Sequence, residues 1–193
     1  MPFQVGSVLL AVVLGWVGLA TQPWLAVLLA VALWAPAAAE LLLRTTIPWA
    51  LQLHYILFMI GGPFAGSALN LYGALPVWDG LIHFDSGVML AWLGMLLVRR
   101  AEESADAPLP HWFSLTVILF TPMAFAAAWE ICEFASDILI GTVSQSGLED
   151  TMRDIVAGTL GGMLAIALLV LFRRPRTLAP ESLLTRRADI RET

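Results

Sequence analysis

Three carboxylates stand at the end of a long apolar stretch. Glu130, Glu133 and Asp137 close a run that begins near Trp112. Their spacing of three and then four residues gives them one stripe on a helix. Charge is costly inside an apolar run, so these acids require protonation, an arginine or a bound cation. The pattern is typical of a site for a cation or a polar head group.

A histidine and four more acids occur where two other apolar stretches begin. Asp79 and His83 lie four residues apart and share a helix face, whereas Asp85 points elsewhere. Asp150 and Asp154 repeat the four-residue spacing. The positive end of a helix dipole favours charged carboxylates and disfavours imidazolium. A neutral histidine is a good metal ligand or proton acceptor.

Two interpretations of these residues remain open. In the first, the outer-face group binds a divalent metal ion or a polar lipid head group. In the second, Arg153 lies between the acids as an internal counter-charge, and the network only fixes helix packing. Carboxylates with one imidazole suit Mn, Fe, Zn, Mg or Ca, so the sequence does not select one metal. The candidate ligands are His83, Glu130, Glu133, Asp150 and Asp154.

Four residues are secondary candidates. We expect Asp79 to be a helix N-cap and Asp137 to be a solvated helix end. Asp85 lies beside His83 in sequence but on another helix face. His54 stands alone within an apolar stretch, where we expect a hydrogen-bonded packing histidine, with a proton relay as the alternative. The single cysteine, Cys132, excludes an intrachain disulfide and a cysteine-based metal cage.

The composition predicts an all-α membrane protein. Of 193 residues, 59% are hydrophobic and 13% charged, whereas a soluble domain has about 25% charged residues. The apolar residues form blocks of about the length that a helix needs to cross a bilayer. We therefore predict a polytopic bundle of six transmembrane helices over residues 1–174, followed by a polar, arginine-rich tail at 175–193. The spans are predicted at 5–21, 24–43, 49–69, 80–98, 112–137 and 150–172.

Two of these spans carry special features. A cleaved signal peptide is the alternative for the first span, although the first four residues lack the basic residue that such peptides normally carry. Gly61, Gly62 and Pro63 predict a break or kink in the third span.

The arginines predict the orientation. With six spans, nine of the ten arginines fall on one side together with both termini, and Arg153 falls on the other. The positive-inside rule makes the arginine-rich side cytoplasmic. The acid-rich helix ends then lie on the outer face. The distribution of arginine matches membrane topology and does not indicate nucleic-acid binding.

Several motifs together resemble a known family. They are Trp-Asp-Gly-Leu-Ile-His-Phe-Asp-Ser-Gly at 78–87, Trp-Glu-Ile-Cys-Glu at 129–133, Asp137, and Asp-Thr-Met-Arg-Asp at 150–154 with glycines at 158, 161 and 162. The set resembles the YjdF-like family of bacterial inner-membrane proteins and, more distantly, VanZ-like proteins, over about residues 45–172. The resemblance implies a multi-pass protein of the bacterial inner membrane and supplies no established reaction. The VanZ likeness suggests a role in the cell envelope.

Three hypotheses for function follow. The preferred one is an envelope protein whose acidic outer-face pocket binds a cation or a lipid head group. The second is a metal-dependent membrane hydrolase of lipid-linked substrates, with metal-activated water and a carboxylate base. The third is a small proton- or cation-coupled transporter with His54 as a midplane step. Whether the protein is an enzyme stays open.

Overall fold

The structure is a computed structural model that describes residues 31–43 and 46–172, together with residues 5, 9, 12 and 13. Most of the predicted first span, part of the second and the arginine-rich tail lie outside the described residues. Within the described part every regular element is a helix, which confirms the all-α prediction there. Two compact units are distinguished, the first ending at Asp79 and the second beginning at Gly80.

The first unit contains helices α1 (Ala35–Leu43), α2 (Trp49–Met59) and the short α3 (Leu71–Ala74). Helix α2 continues directly into a π-helix, Ile60–Ala68, which contains Pro63. Proline lacks a backbone N–H and collides with the carbonyl four residues earlier, and the wider π-helical turn is one way in which a helix accommodates this. The predicted break at Gly61–Pro63 is therefore a change of helix type.

A carboxylate fixes the connection between α1 and α2. Glu40 Oε1 accepts hydrogen bonds from Ile47 N at 2.8 Å and from Gln52 Nε2 at 3.2 Å. Gln52 Nε2 also donates to Ile47 O at 2.8 Å. One glutamine amide thus holds both a carboxylate and a main-chain carbonyl in this connection.

Three long helices form the second unit: α4 (Trp78–Ala105), α5 (His111–Ile140) and α6 (Leu148–Phe172). Because α4 is continuous across Gly80, its first turn is described with this unit. Among the described residues, these are the helices long and apolar enough to cross a membrane. They correspond to the predicted fourth, fifth and sixth spans. At its far end α4 is longer than predicted, where Glu103 pairs with Arg99 and Arg100.

Glycines bring α4 and α6 into backbone contact. A Cβ added to Gly87 would overlap the carbonyl oxygen of Gly158, and one added to Gly161 would overlap the carbonyl oxygen of Phe84. These overlaps show that the glycines allow the two helices to approach closely. Farther along, Ala91, Met95, Val98, Ile118 and Ala165 form a buried apolar cluster between the three helices.

The loop between α5 and α6 begins and ends on glycines with positive φ. Gly141 closes α5 with φ 79°, and Gly147 precedes α6 with φ 116°. Such backbone conformations favour glycine because it lacks a Cβ. Three donors between these glycines bind the carboxylate of Asp137 on α5. They are Thr142 Oγ1 at 2.6 Å, Ser144 N at 2.8 Å and Gln145 N at 3.1 Å. The loop therefore has a defined path over the end of α5.

Candidate metal site

Each helix of the second unit contributes one buried ionisable side chain near the same end of the helix group. The exposed fractions are 6% for His83 on α4, 3% for Glu130 on α5 and 4% for Asp154 on α6. Together with Thr121 they are the buried polar residues of the described chain. Buried charges are normally paired or bound to a metal, so this concentration is chemically significant.

His83 and Asp154 are joined by Asp79, one helical turn before His83. Each of the three offers a ligand atom, and these atoms all lie within 4.8 Å of one another. Two ligand atoms of a tetrahedral zinc ion, each bound at about 2.1 Å, lie about 3.4 Å apart. Metal binding would therefore draw the three atoms together by up to about 1.4 Å.

Glu130 approaches this group with an oxygen that accepts no hydrogen bond from the described residues. Its Oε1 is buried and lies 3.8 Å from His83 Nε2, beyond ordinary hydrogen-bond distance. Its Oε2 instead accepts a hydrogen bond from Gln145 Nε2 at 3.1 Å. A carboxylate oxygen removed from water without a donor is expensive, and a cation in front of it would remove that cost.

Gln145 is the residue of this site that sequence reasoning did not identify. Besides Glu130 Oε2, its Nε2 contacts Glu130 O at 3.0 Å and Thr151 Oγ1 at 3.1 Å. The side chain therefore links α5 to the first turns of α6. A loop glutamine has no distinguishing pattern in one sequence. Its place between two glycines, in the loop joining two acid-bearing helices, was the available signal.

The structure does not place Arg153 among the buried acids. Its Nη2 forms an ion pair with Glu149 Oε1, one turn earlier on α6. The two side chains are 74% and 81% exposed. Adjacent helix positions point about 100° apart, so the burial of Asp154 turns its neighbour Arg153 outward. The counter-charge expected from Arg153 is thus directed to Glu149.

Two other predicted ligands have partners away from the group. Glu133 Oε1 accepts a hydrogen bond from Trp129 Nε1 at 2.9 Å on the same helix. Asp150 Oδ2 accepts from Ser146 N at 3.0 Å and so satisfies a main-chain donor at the start of α6. The structure brings together His83, Glu130 and Asp154 from the predicted set, and leaves Glu133 and Asp150 outside.

The secondary candidates likewise divide into one residue within the group and three outside it. Asp79 is not the expected N-cap, because α4 begins at Trp78 and its carboxylate contributes to the group. Asp137 organises the α5–α6 loop. Asp85 is half-buried on α4 and lies outside the group. His54 lies on α2 in the first unit.

Comparison with known proteins gives a family and no reaction. An uncharacterized protein of Thermotoga maritima is 31% identical over 99 residues, which span 50% of this chain and 49% of that protein. No solved structure matches. The family described as "Predicted membrane protein (DUF2238)" matches residues 3–175, in agreement with the YjdF-like resemblance. A match over most of the chain shows that this protein belongs to the DUF2238 family of membrane proteins.

Proposed function

We propose that this membrane protein binds a divalent metal ion through Asp79, His83 and Asp154, with Glu130 as a fourth donor. The observation that carries the proposal is Glu130 Oε1, which is buried, accepts no hydrogen bond from the described residues and lies 3.8 Å from His83 Nε2. An orphaned buried oxygen beside three clustered ligand atoms is the arrangement that a missing cation would complete.

The charge balance supports a cation. Two carboxylates and one imidazole form the group, a third carboxylate oxygen lies 3.8 Å from the imidazole, and Arg153 pairs with Glu149 on the exposed side of α6. The competing explanation is a structural ion pair between protonated His83 and Glu130. That pair would involve only His83 and Glu130, whereas a divalent ion would also take Asp79 and Asp154 as ligands.

The proposal includes a place in the cell. The arginine distribution and the family resemblance support the inner membrane of a bacterium, with the site on the outer face. Anionic head groups are repelled by a cluster of carboxylates. A lipid phosphate would therefore bind at this site as a further ligand of the metal ion. The proposal is thus compatible with a role in the cell envelope.

Purified full-length protein in detergent, stripped with chelator and reloaded with Zn²⁺ or Mn²⁺, tests the proposal. We expect about one ion per chain by elemental analysis and a rise in the thermal unfolding temperature, since a ligand that binds only the folded state stabilises it. His83→Ala and Asp154→Asn should each remove the bound ion and the thermal shift.

Asp85→Asn is the matched control because Asp85 is on the same helix and outside the group. It should bind like the wild type. Absence of bound metal and of any thermal shift in the wild type would overturn the proposal. Equal loss in Asp85→Asn would show a general charge effect and would overturn the assigned ligand set.

A further inference from the structure

We infer that Gln145 sets the metal selectivity of the site by restricting Glu130 to a single ligand oxygen. This inference rests on the proposed function and deepens it. With Oε2 of Glu130 held by Gln145, Oε1 alone faces the group. Such a site should favour Zn²⁺ or Mn²⁺ over Ca²⁺.

The contacts of Gln145 leave its amide little freedom. Its Nε2 lies between three acceptors, Glu130 O, Glu130 Oε2 and Thr151 Oγ1, at 3.0 to 3.1 Å. The contact with Glu130 O ties the amide to the main chain of α5, and the contact with Thr151 ties it to α6. Rotation of the Glu130 carboxylate toward a two-oxygen contact would break one of these hydrogen bonds.

The main chain of Gln145 is fixed as well. Gln145 N donates to Asp137 Oδ2 at 3.1 Å, and Ser144 N donates to Asp137 Oδ1 at 2.8 Å. Both ends of the loop are glycines with positive φ. Asp137, two helical turns beyond Glu130 on the same helix, therefore fixes the main chain of Gln145. From this fixed main chain the side-chain amide of Gln145 reaches Glu130. This chain of contacts makes Gln145 a positioning residue.

The selectivity follows from coordination chemistry. Ca²⁺ takes six to eight oxygen ligands and often binds a carboxylate through both oxygens. Zn²⁺ takes four ligands, imidazole among them, and accepts single carboxylate oxygens. Mn²⁺ also suits a mixture of carboxylates and water. A site with an imidazole and a single oxygen from Glu130 therefore matches Zn²⁺ and Mn²⁺ better than Ca²⁺.

Gln145→Met tests this inference because methionine retains similar bulk and removes the amide donor. We expect the affinity for Zn²⁺ and Mn²⁺ to fall about 10-fold, as for other partners that orient metal ligands. The affinity for Ca²⁺ should be retained, so the ratio of Mn²⁺ to Ca²⁺ affinity should also fall about 10-fold. Titration calorimetry on the full chain in detergent measures both affinities.

Infrared difference spectroscopy gives a readout that general destabilisation does not move. The spectrum recorded with and without Mn²⁺, compared with that of Glu130→Gln, identifies the Glu130 carboxylate bands. The frequency separation between the antisymmetric and symmetric stretching bands of the carboxylate reports its coordination. We expect the separation typical of one-oxygen coordination in the wild type and that typical of two-oxygen coordination in Gln145→Met. Gln52→Met is the matched control, because Gln52 holds Glu40 in the same manner in the first unit. It should change neither readout.

The outcomes separate the two proposals. A wild type that binds no divalent ion overturns both. Metal binding by the wild type, with an unchanged affinity ratio and unchanged bands in Gln145→Met, overturns the role of Gln145 alone. If Gln145→Met does not fold, Gln145→Asn replaces it, since the shorter amide keeps its polarity and cannot span the same contacts. The same two readouts then decide.

Discussion

Asp137 shows how one acid can serve the site without touching it. Its carboxylate accepts three hydrogen bonds from the α5–α6 loop, two of them from main-chain N–H groups. Hydrogen bonds to a charged group are stronger than those between neutral groups. The aspartate therefore stabilises the loop from which Gln145 reaches Glu130.

Asp137→Asn should loosen this loop, because an amide offers one acceptor oxygen where the carboxylate offers two. We expect faster hydrogen exchange at the amides of Ser144 and Gln145 and a weaker affinity for Mn²⁺, with the helices intact. Mass spectrometry of exchanged peptides and calorimetry check these effects. Asp85→Asn is the control, and unchanged exchange in the loop of Asp137→Asn would contradict the assignment.

Helical periodicity explains which site residues could be predicted. Residues 130 and 137 differ by about 20° around a helix, whereas 130 and 133 differ by about 60°. This offset allows Glu133 to accept from Trp129 instead of facing His83. Asp137 shares the direction of Glu130 but lies about 10 Å farther along, beside the loop. Spacing predicts a shared stripe, and it does not decide which members of the stripe meet another helix.

At the scale of elements, the contact between α4 and α6 positions the site. Gly87 follows His83 by four residues, and Gly158 follows Asp154 by four. The overlap that a Cβ on Gly87 would make with Gly158 therefore lies one turn from the two proposed ligands. Backbones that touch here bring His83 and Asp154 within reach of each other. Small residues at helix contacts are the usual basis of such close packing in membranes.

Gly161→Val should separate α4 from α6, because its side chain would overlap the main chain of Phe84. Overpacking of this kind costs about 1–3 kcal/mol or more. We expect Gly161→Val to show both a lower unfolding temperature and weaker metal binding. Gly80→Val is the matched control, since a Cβ there meets nothing within 4 Å. Full metal affinity in Gly161→Val would contradict the coupling of packing to the site.

The helices themselves were largely predictable, and the connections were not. Apolar blocks bounded by polar residues gave α4, α5 and α6 to within a few residues, except at the far end of α4. There the Glu103 ion pairs continue the helix past the apolar block to Ala105. The path of the α5–α6 loop depends on three hydrogen bonds to Asp137 and on two glycine dihedral angles. Hydropathy carries no information on such contacts.

At the scale of the whole molecule, the predicted orientation is open to a direct test. In a background with Cys132→Ala, single cysteines can be introduced by Ser144→Cys and Ser104→Cys. Ser144 follows α5, and Ser104 lies in the last turn of α4. The arginine bias predicts that a membrane-impermeant thiol reagent labels the first variant in intact cells and spares the second. Labelling of both only after lysis, or of Ser104→Cys alone in intact cells, would contradict an outer-face site.

The family gives a class of protein at this scale and leaves the chemistry to the site. DUF2238 membership agrees with apolar helices, and the relative from Thermotoga maritima is itself uncharacterized. The resemblance stated from sequence motifs was therefore correct about the kind of protein. It contained nothing on the grouping of Asp79 with Asp154, which depends on how two helices separated by α5 approach in space.

The glycine contact beneath the site also bears on permeation. Between α4 and α6, one turn from the ligands, there is no room for a methyl group at Gly87 or Gly161, and Pro122 of α5 fills the space beside Gly162. A hydrated ion is far larger than a methyl group. The three helices therefore pack closely below the proposed ligands, and the packing at Gly87 and Gly161 favours retention of an ion over its passage between α4 and α6.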